Sequence, residues 1–454
     1  MAKITRRQFM KGVVAGGAAV ASTMAVPGVV RKAFTAKPSL NIALWNHWIP
    51  GAADVHTAIV NEWAVKNNVE VKVDLVGPQV RDIRTIAAAE SRARTGHDII
   101  ALGPFDSWAF YKQCEPLNDV ADYLEKKYGK FDTLGTYLSY SQEDKAWYAI
   151  PAPIGSHSYP LVSRTDYFMK YADVDLVDIF PADVNDREAS KVDAWNYDAF
   201  LKAAKKLHAA GYPFGAAISE TSDAMDWLGP LLLSFGSQPM DRDGNITIES
   251  DGTMAALEYL KELTQYMPEE DYGSDDASNN RCIISGKGSA IQNPPSAWSV
   301  AKRTQPLNAG WMWHHDCPKG PEGRFRGALF YNFILWEWCK EKKAAKELLT
   351  YLLEKPQQWK MLTAAQGYDM PQLTPMYEHP VWVQEGPPPG GVYNYVIRGD
   401  EQLVVGGYPS HPIAGQAIYS QSILAVMVAK ATTGEMSPKD AMKWCASELE
   451  MVAG

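Results

Sequence analysis

With 454 residues, 46% of them hydrophobic and 21% charged, the chain exceeds one ordinary hydrophobic core and has the composition of a soluble globular protein of two or three domains. A net charge of -9 without basic runs argues against a nucleic-acid partner. The 15 Trp and 22 Tyr are more than cores alone call for and suit a site that grips flat ligand faces.

Residues 1–36 hold Lys3, Arg6, Arg7, Lys11, Arg31 and Lys32 and no acid. Thr5–Lys11 (TRRQFMK) precedes an Ala/Gly/Val run from Gly12 to Val26. This reads as a twin-arginine export signal, with Phe9 and Lys11 in their usual places. The run is too short and too glycine-rich for a stable spanning helix. Thr23-Met24-Ala25 offers a cleavage site, and Ala36 a later one. Export predicts a periplasmic, oxidising location. Cys114, Cys282, Cys317, Cys339 and Cys445 are odd in number and form no CxxC. Mostly buried thiols, with at most one or two bridges, are expected.

Leu40–Trp45 is strand-like, and Val55, Ile59 and Trp63 recur at helical spacing over 54–66. Val69–Val76 alternates as a strand. Asp82–Arg94 reads as a helix with Ile83, Ile86 and Ala87 inward, and Asp98–Leu102 as a buried strand ending at Gly103-Pro104. This is a β-α-β-α-β layout, in which ligands sit at the carboxyl ends of the strands. In Ala146–Phe168, Pro151, Pro153 and Gly155 separate two extended segments, a pattern that suits a crossover between two bodies.

Beyond it, Asn196 caps a helix to Ala210 that presents Phe200, Leu201, Ala204, Leu207 and His208 on one face. Phe214–Ile218 reads as a strand, 226–235 as an apolar helix, Asp241–Asn245 as a hairpin turn and 251–266 as a helix. Ile283–Ile291 is a turn into a strand, leading to Asn293–Trp298. Gly327–Trp336 is strand-like, Lys342–Glu354 helical, and Gly367–Pro375 and Pro387–Gly391 are loops. One long helix is expected over 417–434. The last helix opens at Ser437-Pro438, a cap followed by proline at the first helical position.

The ordered series LNIALWNHW, VEVKVDLV, GHDIIAL, CEPLNDVADYL, AWYAIPAP, LVSRTDYFMKYA, ISGKGSAIQNPPSAW and KKAAKELLTYLLEKPQQWKMLTAAQGYDMP resembles the extracellular solute-binding proteins of ABC importers. The likeness is to the sugar-binding group that includes maltose-binding protein, and it runs along nearly all of the mature chain. It implies a two-lobed periplasmic-binding-protein-like α/β fold of type II, each lobe a doubly wound sheet flanked by helices, with a hinge between. The implied lobes are discontinuous: residues 38–152 plus 329–368, and residues 153–328 plus 369–454. It implies a monomer that hands a small solute to membrane permease subunits, uses no cofactor and catalyses nothing. His314, His315 and Cys317, beside Trp311 and Trp313, depart from the blander residues usual there.

Trp45, Asn46, His47 and Trp48 lie at a strand end facing the implied cleft. Indoles cover the C–H faces of sugars, while Asn and His bond hydroxyls; core packing is the rival role for either Trp. Phe105 and Asp106 follow from the same strand-end argument. His157 and Ser158 lie on the crossover, Trp298 after the Pro-Pro turn, Tyr331 and Asn332 at a second crossing, and Tyr408 on a late loop. With no paired arginines beside these aromatics, a neutral carbohydrate is expected rather than an anion. The alternatives are a non-sugar solute, such as a phosphorylated polyol or an organic acid, and a secreted enzyme with metal at His314/His315. Adjacent strand histidines point apart, and no GxSxG, HExxH or phosphate loop occurs.

Overall fold

Alternating, β-branched sequence sets up a sheet whose centre is buried on both faces. In a computed structural model, which describes residues 37–77, 80–384, 395–397 and 399–453, Ser39–Trp45 pairs in parallel with Glu70–Val76 and with Ile99–Leu102. The four residues Ile99–Leu102 are all buried, as a strand flanked by helices requires. Asn332–Leu335 then joins antiparallel, and Ile150–Pro151 closes the edge. The flanking helices Ala52–Asn67, Val80–Ala93 and Lys342–Leu352 lie within a residue or two of their expected bounds. The export signal and the Pro387–Gly391 loop lie outside the described residues.

The crossover leads into two three-stranded sheets. His157–Tyr159 pairs antiparallel with Phe325–Leu329, which pairs in parallel with Gln402–Val404. Leu161–Arg164 lies between Met312–His315 and Ala290–Gln292, antiparallel to both. Around these sheets the helices Tyr197–Ala209, Ser222–Ser234, Asp251–Leu263 and Ile423–Thr432 build a second core through Phe200, Leu228, Leu257 and Met427. The first sheet has its own core, through Ile42, Leu44, Ile100, Ile334 and Leu348.

Three local expectations change, and the one for the cysteines holds. Phe214–Ile218 forms only one bridge, Phe214 with Ala290. The polar backbone beyond is satisfied by side chains and loops instead: Asp271 accepts from Ala216 N at 3.0 Å, and Ala217 O accepts from Trp227 Nε1 at 2.7 Å. His208 is exposed, in the last turn of its helix, where a cationic side chain suits the helix dipole. The helix expected over 417–434 is two, Pro412–Ser420 and Ile423–Thr432, bent by 48° about Ser422 at φ 52. All five cysteines are free thiols, and Cys282 alone is not fully buried. Among the described residues no single helix is long and apolar enough to cross a membrane.

Candidate functional site

Ser156 ties together three of the chain segments that pass between the two cores. Its Oγ donates to Ala152 O at 2.6 Å and accepts from Tyr331 N at 3.0 Å and from Gln372 Nε2 at 2.9 Å. Ala152 N donates to Tyr331 O, and Met370 N to Ser156 O. Asp369 Oδ1 accepts from Gly155 N at 2.9 Å and from His47 Nε2 at 3.0 Å. His47 Nδ1 accepts from Ile49 N at 2.9 Å, so the ring is the tautomer with its proton on Nε2. Gly155 has φ +83, and a Cβ there would stand 2.8 Å from Trp45 Cε3 and 3.0 Å from Tyr331 Cδ2. Only glycine lets the crossover run this close to both rings.

Beside this junction, between the two cores, lies a narrow cavity of about 20 Å³. Trp45, Trp48, Tyr331 and Tyr368 line one side, and His157 and Tyr159 the floor. Trp45 is the centre of the aromatic group, 5.5 Å from Tyr331 and 6.1 Å from Tyr368 by ring centroids, the latter pair stacked. Ser222, Asp223, Asp276, Asn280, Asn293 and Ser296 also line it. Asp223 comes from the first turn of the helix Ser222–Ser234, which Thr221 caps by accepting from Ala224 N. Asp276 comes from the loop ahead of Ser278–Ile284, and its Oδ1 accepts from Asp223 N at 3.3 Å.

The electrostatics of this wall are set by burial. Asp223 accepts from Tyr159 Oη at 3.2 Å and from Asn279 Nδ2 at 2.7 Å, yet burial, with Asp276 and Asp226 as like-charged neighbours, raises its pKa well above the carboxylate range. Asp226, one turn further along, is raised in the same way by burial, although Tyr419 Oη donates to it at 2.9 Å. Burial lowers His157 to about 3, so it is neutral, with Nδ1 donating to Gly155 O at 2.5 Å. Its Nε2 then accepts from Tyr159 Oη at 3.0 Å. Tyr159 has a single proton, so its hydroxyl is shared between His157 Nε2 and Asp223 Oδ1.

Of the residues singled out from sequence, Trp45, Trp48, His157 and Tyr331 line the cavity. His47 stands behind Trp45, 4.8 Å away by ring centroids, as a positioning group for the crossover. Asn46 is exposed, and its backbone N extends the sheet to Val76 O. Phe105, at φ 61, turns into the second core against Tyr137, Tyr419 and Gly415. Asp106 is buried in an ion pair with Arg84 at 2.7 Å. Ser158 is buried away from the cavity, its N bonded to Tyr395 Oη. Trp298 is 1% exposed in the second core, with Lys302 Nζ 3.9 Å from a ring centroid. Asn332 accepts from Ser139 Oγ inside the first sheet. Tyr408 stacks edge-on with Tyr137 near a wider, open groove of about 760 Å³ that Trp108, Tyr137, Arg242 and His411 line. That groove is larger but opens to solvent through exposed Gln142 and Glu143, whereas the small cavity sits where the crossing segments meet.

Sequence reasoning passed over Asp223, Asp276, Tyr368 and Asp369. The Thr221-Ser222-Asp223 cap was the available signal for the first of these. His314 and His315 belong to packing: His315 stacks on Phe180 at 5.1 Å and bonds Ser163 Oγ at 2.8 Å, and burial lowers both rings to about 3. Among the described residues no group of three His, Cys, Asp or Glu is arranged to hold a metal ion.

Residues 58–387 match the family profile described as bacterial extracellular solute-binding protein. No curated protein sequence matches the chain. Among solved structures, T. maritima MalE3 with bound maltose aligns with a TM-score of 0.71 at 18% identity, covering 91% of this chain and 99% of that one. A sugar transporter from Arthrobacter chlorophenolicus A6 with bound laminaribiose gives 0.71 at 16% identity, over 92% and 99% of the two chains. A Listeria monocytogenes ABC substrate-binding protein in complex with cycloalternan gives 0.68 at 15% identity, over 92% and 99%. At these identities the likeness carries the fold, that of a type II periplasmic binding protein. The chain belongs to the bacterial extracellular solute-binding protein family, the non-enzymatic receptors that capture a solute for an ABC importer.

Proposed function

We propose that this receptor captures a carbohydrate in the cavity beside Trp45 and delivers it to the permease of its importer. The observation that carries this reading is the lining itself. Trp45, Trp48, Tyr331 and Tyr368 share the lining with Asp223, Asp276, Asn280 and Asn293, and among the described residues no arginine or lysine lines the cavity. Rings cover the apolar faces of a sugar while carboxylates and amides hold its hydroxyls. Arg324 and Arg326, which could have argued for an anion, are fully buried elsewhere, Arg326 in an ion pair with Glu401. The carbohydrates named for the aligned receptors, maltose and laminaribiose among them, support the same reading.

A cavity of about 20 Å³ is far below the roughly 300–1,000 Å³ of small-molecule pockets. The chain described here is therefore a closed form, and its two sides part to admit solute. We assign the lobes as residues 38–152 with 329–368, and 153–328 with 369–454, hinged at Pro151–Ser158 and near Tyr331. A thermal-shift screen over sugars, polyols and organic acids tests the solute class, because a ligand bound only by the folded state raises the midpoint. A carbohydrate is expected to do so; a rise with phosphorylated or carboxylated solutes alone overturns the reading. The sequence also supports twin-arginine export. Changing Arg6 and Arg7 together to Lys should hold precursor in the cytoplasm, and normal export of that variant contradicts this route.

A further inference from the structure

On the lobes assigned above, the lining of the cavity divides by chemistry. Residues 38–152 and 329–368 contribute Trp45, Trp48, Leu329, Tyr331 and Tyr368 and, among the described residues, no carboxylate or amide. The carboxylate, amide and serine lining residues, Asp223, Asn280, Asn293 and Ser296 among them, all come from residues 153–328. They arrive on three separate pieces of chain: the helix Ser222–Ser234, the helix Ser278–Ile284, and the turn after the strand Ala290–Gln292. One buried side chain, Asn279, joins all three, and it is not itself a lining residue. Its Nδ2 donates to Asp223 Oδ2 at 2.7 Å and to Gln292 O and Asn293 Oδ1, each at 3.2 Å. Its Oδ1 accepts from Asn280 N at 2.6 Å. Asn293 Nδ2 in turn donates to Pro294 O at 2.6 Å and to Ser296 Oγ at 3.1 Å. Asn280 Nδ2 donates to the same Ser296 Oγ at 3.2 Å.

Resting on the reading of this cavity as a carbohydrate site, we propose that the second lobe selects the solute by the direction of its hydroxyls, and that Asn279 is the positioning residue that sets this selection. Apolar contact is non-directional and follows area. One methylene more or less in an apolar pocket changes preference by only about 10–200-fold. Hydrogen bonds weaken steeply as they bend, and a site built to bond a hydroxyl rejects a ligand that fails to supply it by about 10⁴-fold or more. Two epimeric sugars have the same atoms and differ in the direction of one hydroxyl. The aromatic residues of the first lobe therefore hold both to a similar degree, and the carboxylates and amides of the second lobe separate them. Separation requires that those groups keep one orientation, because an unsupported Asn or Asp side chain turns to suit either epimer. Asp223 is held at both oxygens, Oδ1 by Tyr159 and Oδ2 by Asn279, which fixes the plane of its carboxyl group. Asn293 is held at both ends of its amide, and the backbone of Asn280 is bonded to Asn279 directly.

The test is titration calorimetry on the intact protein with epimeric probes: D-glucose against D-mannose and D-galactose, and cellobiose against lactose. The wild type is expected to separate at least one of these pairs by about tenfold or more. Asn279→Ala should bring that ratio down to about threefold or less, whereas Trp48→Ala should weaken both epimers and leave the ratio within about threefold of wild type. The ratio is the readout that a merely structural role does not move, because destabilisation lowers the affinity for both epimers alike. Asn280→Ala, at a half-buried position, carries the same expectation if Asn279→Ala does not fold. Wild type that binds every epimer alike overturns selection by the second lobe and leaves the carbohydrate reading standing. A ratio that survives in Asn279→Ala, an equal loss of both epimers there, or a ratio that collapses in Trp48→Ala also overturns it. No binding of any of these sugars overturns the selection and the carbohydrate reading together.

Discussion

The junction around Ser156 and the wall around Asp223 lie at one cavity, yet they hold their buried polar groups to different degrees. At the junction the Ser156 hydroxyl makes three hydrogen bonds, and Asp369 Oδ1 accepts from a backbone amide and an imidazole. At the wall, three acids share one neighbourhood, and among the described residues neither Asp226 Oδ1 nor the Tyr331 hydroxyl has a hydrogen-bond partner. An unmade buried bond costs stability, and the junction bonds most of its polar atoms within the chain, leaving Asp369 Oδ2 and Gln372 Oε1 unbonded among the described residues. Groups left unsatisfied and lining a cavity are those a ligand completes. The difference separates a connection that must hold its geometry from the surface proposed to recognise solute.

The largest effect expected from breaking this arrangement is at Trp45, which belongs to both regions. Sequence alone singled out Trp45 as a face for a sugar, with core packing as the rival role. At 1% exposure, with rings of His47, His157, Tyr331 and Tyr368 around it, its truncation should instead cost about 3–5 kcal/mol of stability. Urea denaturation measures this, and a midpoint within error of wild type contradicts the packing role.

Gly155→Ala comes next. It combines a left-handed φ with a Cβ inside contact distance of Trp45 and Tyr331, and about 3 kcal/mol is expected from strain and overpacking together. Denaturant unfolding that leaves the midpoint in place counts against the close crossing.

Asp226→Asn sharpens the comparison through pH. Burial raises the folded pKa of Asp226 above its unfolded value of about 3.9, so the folded protein keeps a proton that the unfolded chain gives up. Stability from this group therefore falls as pH rises above about 4, until the folded value is passed. Unfolding free energies of Asp226→Asn should decline less steeply from pH 5 to pH 8 than those of wild type. Parallel profiles would mean that Asp226 is charged in the folded state.

The smallest effect on stability belongs to Tyr331→Phe. It removes a buried hydroxyl that bonds nothing among the described residues, so the free protein should be unchanged or up to about 1 kcal/mol more stable, while solute binding weakens. A clear loss of stability would show that the hydroxyl has a structural partner.

Much of the fold was legible because it follows local rules. Alternation marked Glu70–Val76, four-residue spacing marked Ala52–Asn67, and the Pro and Gly of the crossover marked the change of sheet. One half of the site was legible for the same reason, since Trp45, His157 and Tyr331 sit at strand ends or crossings. The other half was not. Asp223 and Asp276 come from a helix start and a loop 53 residues apart, and only the folded chain brings them together. Phe105 and Trp298 show the converse: their places in sequence were well chosen, but a left-handed turn and a helix carry their side chains into the second core. Sequence periodicity fixes which element a residue belongs to and leaves open which way its side chain turns at the element's end.

The most direct test of the central claim is a crystal structure of the protein with the solute that the screen identifies. The account predicts that solute between Trp45, Tyr331 and Tyr368 on one side and Asp223 and Asp276 on the other. Those sides should stand further apart than in the closed form, with the backbone changes gathered at residues 151–158 and 329–332. Solute found instead in the open groove beside Tyr137 and Arg242, with the cavity at Trp45 unchanged, would contradict it.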